Sequence, residues 1–484
     1  MNKLKSVFII SIMLVSMFFV LNTVYGQAYP RIQWDFYDSD ITSFRYHQPT
    51  LADIDKDGKM EVIHAEENDD IVFCLETDGA LKWKTTFIAD VYESTVKVAD
   101  VDGDGWLDVV YGDEDGDYEN SIVCISGQTG AFKWSSGNSG SDMDSIPSIG
   151  DINNDGIVEV LATNDDYILF CIDGRNGNEL WRYDDRSVGN GMVAPVLVDV
   201  DGDGQLEIIV IGQDNYDEIV CIETNGSEKW HFTGSKDYGA IYVTPTVADF
   251  DGDGRPEIVF SNEYGIIYMV EHDGKEKWVN DDILSIYVGI YPAYQNVVSG
   301  DLDNDRDIEI VVPAYYGLMV FDHRGNLLWQ KNDGLSGNDE VGLGYSYVTL
   351  CDINNDNKVE ILYNNYNTGK IEARDYLGNL LWAWKPDDYD FECDSVSVAD
   401  IDNDGILEMV VGNYYNSKVY CVEVGPVNRN YPVWTTHSFD NYNTGFYNKG
   451  TVRIVKSLPI DRFLNILEEA RCKKHPGAEG CEAI

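Results

Sequence analysis

Short apolar runs recur along most of the chain, each cut off by a polar turn before it could grow into a helix. A three- to five-residue run such as Thr244-Pro-Thr-Val-Ala248 leads into an acidic stretch. A β-branched run follows, as in Glu257-Ile-Val-Phe260, and then another polar turn. A third run comes next, for example Glu218-Ile-Val-Cys221-Ile-Glu223, and a Gly-x-x-x-Trp stretch closes the unit. That ending appears at Gly79–Trp83, Gly130–Trp134, Gly177–Trp181, Gly226–Trp230, Gly274–Trp278, Gly325–Trp329 and Gly378–Trp382. Runs this short, rich in Val, Ile, Phe and Tyr and bounded by Gly, Asn and Asp, predict strands. Four strands per unit, repeated around a ring, is the arrangement of a β-propeller.

The acidic stretch between the first and second strands carries the chemistry. In Asp199-Val-Asp-Gly-Asp-Gly-Gln-Leu-Glu207, carboxylates stand at positions 1, 3, 5 and 9 and glycine at position 6. Alternation puts three carboxylates on one side of a tight turn, position 7 offers a backbone carbonyl, and the last carboxylate can bind through both oxygens. Such an oxygen-rich set suits Ca²⁺, which takes six to eight oxygens at about 2.3–2.6 Å. A single copy would pass for an ordinary acidic turn, but the motif recurs. The remaining ligand sets are Asp53, Asp55, Asp57, Lys59, Glu61; Asp100, Asp102, Asp104, Trp106, Asp108; Asp151, Asn153, Asp155, Ile157, Glu159; and Asp249, Asp251, Asp253, Arg255, Glu257. Three more follow: Asp301, Asp303, Asp305, Asp307, Glu309; Asp352, Asn354, Asp356, Lys358, Glu360; and Asp400, Asp402, Asp404, Ile406, Glu408. With Asp201, Asp203 and Gln205 in the first set, the loops start 47 to 52 residues apart. A period of that length marks one supersecondary unit per repeat. Eight loops predict an all-β, eight-bladed β-propeller holding up to eight Ca²⁺. Arg306 and Asn357 replace the turn glycine and Asn354 removes a charge, so the Asp301 and Asp352 loops are expected to bind most weakly.

The tryptophans are expected to pack between neighbouring sheets, where an indole buries roughly 150–250 Å². Trp34 stands alone before the first loop, like a fourth strand that has lost its blade. It is expected to close blade eight beside Lys418–Val424, with Tyr431–Trp434 as the competing segment. Cys74, Cys124, Cys171, Cys221 and Cys421 share the third-strand position of different blades, too far apart to pair. Only Cys472 and Cys481, near the end of the chain, are placed to form a bridge.

Both termini depart from the period. Lys3, Lys5 and the apolar run Ser6–Leu21, followed by Val24 and Gly26, describe a secretory signal peptide over residues 1–26, with an uncleaved anchor as the alternative. The propeller is assigned to residues 27–455. Residues 456–484 read as an amphipathic helix and tail, with Pro459 near the helix start. The chain holds 85 acidic and 34 basic residues, a formal charge of −51. Such a field repels nucleic acid and anionic lipid headgroups. No membrane span is expected after signal cleavage.

Catalytic signatures are missing: there is no His-Glu-x-x-His, no Gly-x-Ser-x-Gly and no Gly-x-x-x-x-Gly-Lys-Ser/Thr. The seven histidines are scattered, without metal-ligand spacing, and are expected at the surface or in turns. A tyrosine-rich surface is expected opposite the acidic loops. It would comprise Tyr287, Tyr291, Tyr294 and Tyr345 on the long connectors and Tyr118, Tyr167, Tyr216, Tyr264, Tyr315, Tyr316, Tyr366, Tyr414 and Tyr415 on turns. A flat ring with a hydroxyl suits contacts with proteins or sugars.

The acidic loops resemble those of FG-GAP or VCBS repeat proteins, the blade type also found in the integrin α-chain head. The endings typified by Asp173-Gly-Arg-Asn-Gly177-Asn-Glu-Leu-Trp181 resemble the docking motif of quinoprotein-type propellers. Together these resemblances cover about residues 31–450. They imply the propeller and its calcium, and a family that spans adhesion heads, surface proteins and enzyme-associated modules. A quinone dehydrogenase would be expected to carry an adjacent cysteine pair, which this chain lacks. The function expected is that of an exported, calcium-binding, non-catalytic module for an extracellular protein or glycan. The alternative is a calcium-dependent polysaccharide lyase resembling the rhamnogalacturonan lyases, whose eight-bladed propellers carry loops of this sort.

Overall fold

The computed structural model describes residues 29–428 apart from intervening segments, the longest being 282–296 and 333–346, together with Phe446 and Tyr447. Its strands form eight antiparallel four-stranded blades, one of them extended by a fifth strand. In blade four the strands Val196–Val198, Glu207–Ile211, Glu218–Ile222 and Glu228–Thr233 follow one another outward in chain order. Register builds the packing surfaces directly. Val196 lies opposite Ile209, Ile209 opposite Cys221, and Cys221 opposite Trp230, giving one apolar row across the sheet. This row packs on Val247, Ile258, Phe260 and Tyr268 of blade five. The opposite face, through Leu197, Ile208 and Ile222, packs on Leu161, Leu169 and Cys171 of blade three. A middle strand buried on both faces reads as a continuous apolar run, which is why strict alternation is absent from the sequence.

The short first strands sit innermost, those of blade one lying beside their counterparts in blades two and eight. Their hydroxyls tie one blade to the next: Thr50 Oγ1 donates to Val96 O at 2.7 Å, and Thr349 Oγ1 to Val396 O at 2.8 Å. Arg31–Tyr37 closes the ring as the outer strand of blade eight, antiparallel to Lys418–Pro426, with Trp34 opposite Cys421. This is the closure expected from Trp34; the competing Tyr431–Trp434 lies outside the described residues. One strand was not foreshadowed by the period. Phe446–Tyr447 runs parallel to the innermost strand of blade five, Thr246–Ala248.

The Gly-x-x-x-Trp motif splits its work between two interfaces. Each tryptophan docks on the glycine of the following blade, not its own. The Trp34 indole covers Gly79, Trp83 covers Gly130, Trp134 covers Gly177, and the pattern continues to Trp329 over Gly378. These glycines have φ of +67° to +82°, and a methyl group there would lie 2.6–3.1 Å from the indole. Only glycine gives both the left-handed turn and the clearance. Each of these indoles also donates to a backbone carbonyl in the next blade, Trp83 Nε1 to Gly127 O at 2.7 Å and Trp134 Nε1 to Gly174 O at 2.8 Å. Trp382 faces blade eight, whose outer pair is formed by the two ends of the ring and has no such turn. Trp134→Ala is therefore expected to cost about 3–5 kcal/mol, as large aromatic truncations in cores do. Trp382→Ala should cost clearly less; equal losses in denaturant unfolding would contradict the docking role.

Cys74, Cys124, Cys171, Cys221 and Cys421 occupy the third strands as expected, and these five, with Cys351 and Cys393, are buried free thiols. One histidine departs from expectation. His64 lies on the strand Glu61–Glu66, fully buried, with its ring stacked on Phe73 at 5.8 Å, because its strand is covered on both faces. The expected signal peptide and C-terminal helix, with Cys472 and Cys481, lie outside the described residues.

Candidate metal centres

All eight acidic loops join a first strand to a second, so the antiparallel topology puts them on one face of the ring. The loop folds because its own carboxylates take the backbone N–H groups that a sharp turn leaves unpaired. Around Asp199, Gly204 N–H donates to Asp199 Oδ2 at 2.9 Å and Asp203 N–H to Asp201 Oδ1 at 3.1 Å. Gln205 N–H donates to Asp203 Oδ1 at 2.8 Å, and Val200 N–H to Glu207 Oε2 at 2.9 Å. The bond from position 6 to the first carboxylate recurs in every loop, at 2.8–3.2 Å. At position 7, Lys59, Trp106, Ile157, Gln205, Arg255, Asp307, Lys358 and Ile406 each donate their N–H to the carboxylate at position 5.

Two residues per loop are left-handed, where the glycine pattern had suggested one. Position 6 has φ between 66° and 93°, and position 4 between 59° and 79°. Position 4 holds Lys56, Gly103, Asn154, Gly202, Gly252, Asn304, Asn355 and Asn403. Its signal was a Gly/Asn preference, the residues that enter this region most easily. Arg306 pays the ordinary penalty at φ 89°. Arg306→Gly is expected to stabilise the protein by about 1 kcal/mol. A lower denaturation midpoint than that of the parent would show that the strain is not there.

The loops bring their carboxylates together. Asp53, Asp55 and Asp57 each offer an oxygen within 4.8 Å of the others, as do Asp100, Asp102 and Asp108, Asp199, Asp201 and Asp203, and Asp249, Asp251 and Glu257. Position 9 is the buried end of each set: Glu61, Asp108, Glu159, Glu207, Glu257, Glu309, Glu360 and Glu408 are all buried. Burial pushes the Glu61 and Glu360 carboxyls up to about 8 and Glu408 to about 9. A carboxylate so placed keeps its charge at neutral pH only beside a cation. Several ligand oxygens have no hydrogen-bond partner although they are buried: Oδ1 of Asp53, Asp100, Asp249 and Asp400, and Oε1 of Glu61 and Glu408. Unpaired buried carboxylate oxygens are costly, and here they belong to the ligand positions. The donors are carboxylate and amide oxygens, without thiolate or imidazole, so the sites could hold a hard divalent cation.

In four blades a lysine also reaches the set. Lys229 Nζ lies 2.7 Å from Asp201 Oδ2 and 3.0 Å from Glu207 Oε1. The hydrogen bond from Lys229 holds the Asp201 carboxyl below its usual range, whereas burial raises that of Asp303, which no lysine hydrogen-bonds. Asp108, one carbon shorter than the glutamates at position 9, bonds Lys133 at 2.7 Å through Oδ1 and leaves Oδ2 unpartnered. Sequence reading missed these lysines.

On the opposite face, Tyr414 and Tyr415 meet edge-on at 5.3 Å, and Tyr415 is 55 % exposed. Tyr167 is also described, on its second-to-third-strand turn. The other tyrosines expected to form a ligand surface lie outside the described residues.

Five overlapping stretches match the profile of the FG-GAP-like repeat, at residues 53–111, 100–162, 151–210, 199–260 and 249–312. No curated protein matches the chain. Among solved structures, the Vibrio cholerae biofilm matrix protein Bap1 is similar at 16 % identity and TM-score 0.61, over 86 % of this chain and 96 % of that one. BamB from Moraxella catarrhalis is similar at 14 % identity and TM-score 0.56, over 82 % and 100 %. The quinohemoprotein alcohol dehydrogenase ADHIIG from Pseudomonas putida HK5 is similar at 12 % identity and TM-score 0.57, over 82 % and 77 %. At these identities what is shared is the fold.

Proposed function

Since the chain belongs to the FG-GAP-like repeat family, we propose that it is an exported, calcium-loaded propeller that binds an extracellular protein or glycan. The observation that carries the metal part is the set of buried, unpartnered carboxylate oxygens at the ligand positions, repeated around one face of the ring. Each ion would be held by positions 1, 3, 5 and 9 and the carbonyl of position 7. Calcium supplies charge neutralisation that lets these loops close; the chain's own carboxylates set the turn. Export is read from the basic and apolar start of the chain. A role in binding is supported by the rigid closed ring, and the similarity to a biofilm matrix protein points the same way.

The test is a glycan array probed with the calcium-loaded protein. Reproducible binding to a defined glycan class that disappears in EDTA supports the reading. A parallel assay on pectic polysaccharide, followed by absorbance of unsaturated products, tests the lyase alternative. Calcium-dependent product formation would replace the binding role with catalysis.

A further inference from the structure

In five blades the residue just before the outer-strand tryptophan bonds the acidic loop of its own blade, and its identity varies from blade to blade. Lys82, Lys133, Lys229 and Lys277 hold this position in blades one, two, four and five; Leu180, Leu328 and Leu381 hold it in three, six and seven; Gln33 holds it in eight. Every lysine lies within 3.3 Å of two or more carboxylates. Lys229 bridges Asp201, Glu207 and Glu223, and Lys277 bridges Asp251 at 2.8 Å, Glu257 at 2.9 Å and Glu271 at 3.3 Å. Lys133 bridges Asp102 at 2.6 Å and Asp108 at 2.7 Å, and Lys82 joins Asp55 at 2.7 Å to Glu76 at 2.9 Å.

Loop charge follows this variation in blades three and seven, while blades six and eight keep Asp303 and Asp402 at position 3 without a lysine. All four lysine blades have Asp at position 3. In blades three and seven leucine comes with Asn153 and Asn354, and Asn354 Nδ2 donates to Glu360 Oε1 at 2.9 Å, the oxygen that lysine takes elsewhere. Blade eight has neither device. Asp400 Oδ1 and the fully buried Glu408 Oε1 are unpartnered, and Asp402 Oδ2 accepts from the neutral Gln33 amide at 3.0 Å. In blade six no lysine of its own blade bonds Asp303, which feels only the charge of Lys358 from the next blade, and its Oδ1 is buried without a partner.

We propose that Lys82, Lys133, Lys229 and Lys277 are built-in counter-cations that set how far each loop depends on calcium. The inference rests on the calcium reading above and deepens it. In blades two, four and five the ammonium sits on positions 3 and 9, and in blade one on position 3 and Glu76 while Glu61 Oε1 stays unpartnered; this neutralises charge at the site and keeps the loop closed without the ion. The same charge repels an arriving Ca²⁺ and shares its ligands, so affinity falls below what ligand count implies. The Asp400 loop, with its full ligand set and no lysine, binds calcium first. Lysine at this position thus separates the Asp53, Asp199 and Asp249 loops from the Asp400 loop, although all four carry the same ligands.

Hydrogen exchange resolved blade by blade through a calcium titration tests this, on the parent and on Lys229→Leu, which copies the residue of blades three, six and seven. In EDTA, residues 199–233 of the variant should exchange faster than in the parent. Its calcium midpoint for that blade should fall about tenfold, as ligand charge tunes such sites over several decades, while other blades keep theirs. The converse variant Leu328→Lys, at an exposed position, should protect blade six in EDTA and raise its midpoint. An unchanged or raised midpoint in Lys229→Leu, or an unchanged one in Leu328→Lys, would overturn the counter-cation role. If no blade of the parent responds to calcium, the calcium reading fails, and this proposal with it.

Discussion

Chelation with EDTA should lower the thermal unfolding midpoint of the calcium-loaded protein by more than about 10 °C. A ligand that binds only the folded chain stabilises it by about 2.7 kcal/mol per site at a hundred times Kd. Four sites filled to that degree contribute about 11 kcal/mol. For a domain of roughly 400 residues, with unfolding entropy near 2.1 cal/mol/K per residue, this corresponds to about 13 °C. The buried position-9 carboxylates are the structural reason the loss is large: without calcium, Glu61, Glu159, Glu309, Glu360 and Glu408, which bond no lysine, must either take up a proton or stay charged where they are buried. The loss should also be ordered. Blades six and seven, with Arg306 or Asn357 in the turn, should lose protection at higher calcium than blade eight. Differential scanning calorimetry with and without chelator decides the matter, and an unchanged midpoint in EDTA would sink the metal assignment.

How much of this was legible in the sequence depends on the range over which each feature acts. Loops and strands are local, so Asp199–Glu207 and its seven copies showed both the blade count and the ligands. Ring closure was half legible. Trp34 announced a missing outer strand, but its pairing with Cys421 spans nearly the whole chain, and Tyr431–Trp434 fitted the same slot. The docking motif was visible as a spacing, yet its meaning was hidden. Gly226 and Trp230 look like one unit, while Gly226 carries Trp181 of the preceding blade and Trp230 rests on Gly274 of the next. Contacts between consecutive repeats leave the same periodic trace as contacts within one. The lysines were hidden for a related reason: Lys229 meets Asp201 across 28 residues, and Lys-Trp reads as an ordinary strand edge. His64 failed the expectation for histidines because it lies on a middle strand buried along its whole length, its ring set between Phe44 and its cross-strand neighbour Phe73.

A chain that begins at Asp38, lacking the strand Arg31–Tyr37, should fail to form a stable monomer. Among the described residues that strand is the one that pairs the start of the chain with the last blade, and its removal acts twice. It exposes Lys418–Pro426 as an open edge of nine residues, a template for pairing with another chain. It also removes Trp34, whose Nε1 donates to Thr77 O at 2.8 Å and whose ring covers Gly79, so blade one loses its dock on blade eight. Trp34→Ala separates the two effects, because it keeps the backbone pairing and deletes the dock. It should cost about 3 kcal/mol yet stay monomeric. The truncated chain should instead elute as oligomers and exchange rapidly across residues 397–426. A synthetic peptide spanning residues 29–38, added in trans, should restore protection there by strand addition. A truncated chain that remains monomeric and melts within about 2 °C of the parent would show that the ring closes by some other segment.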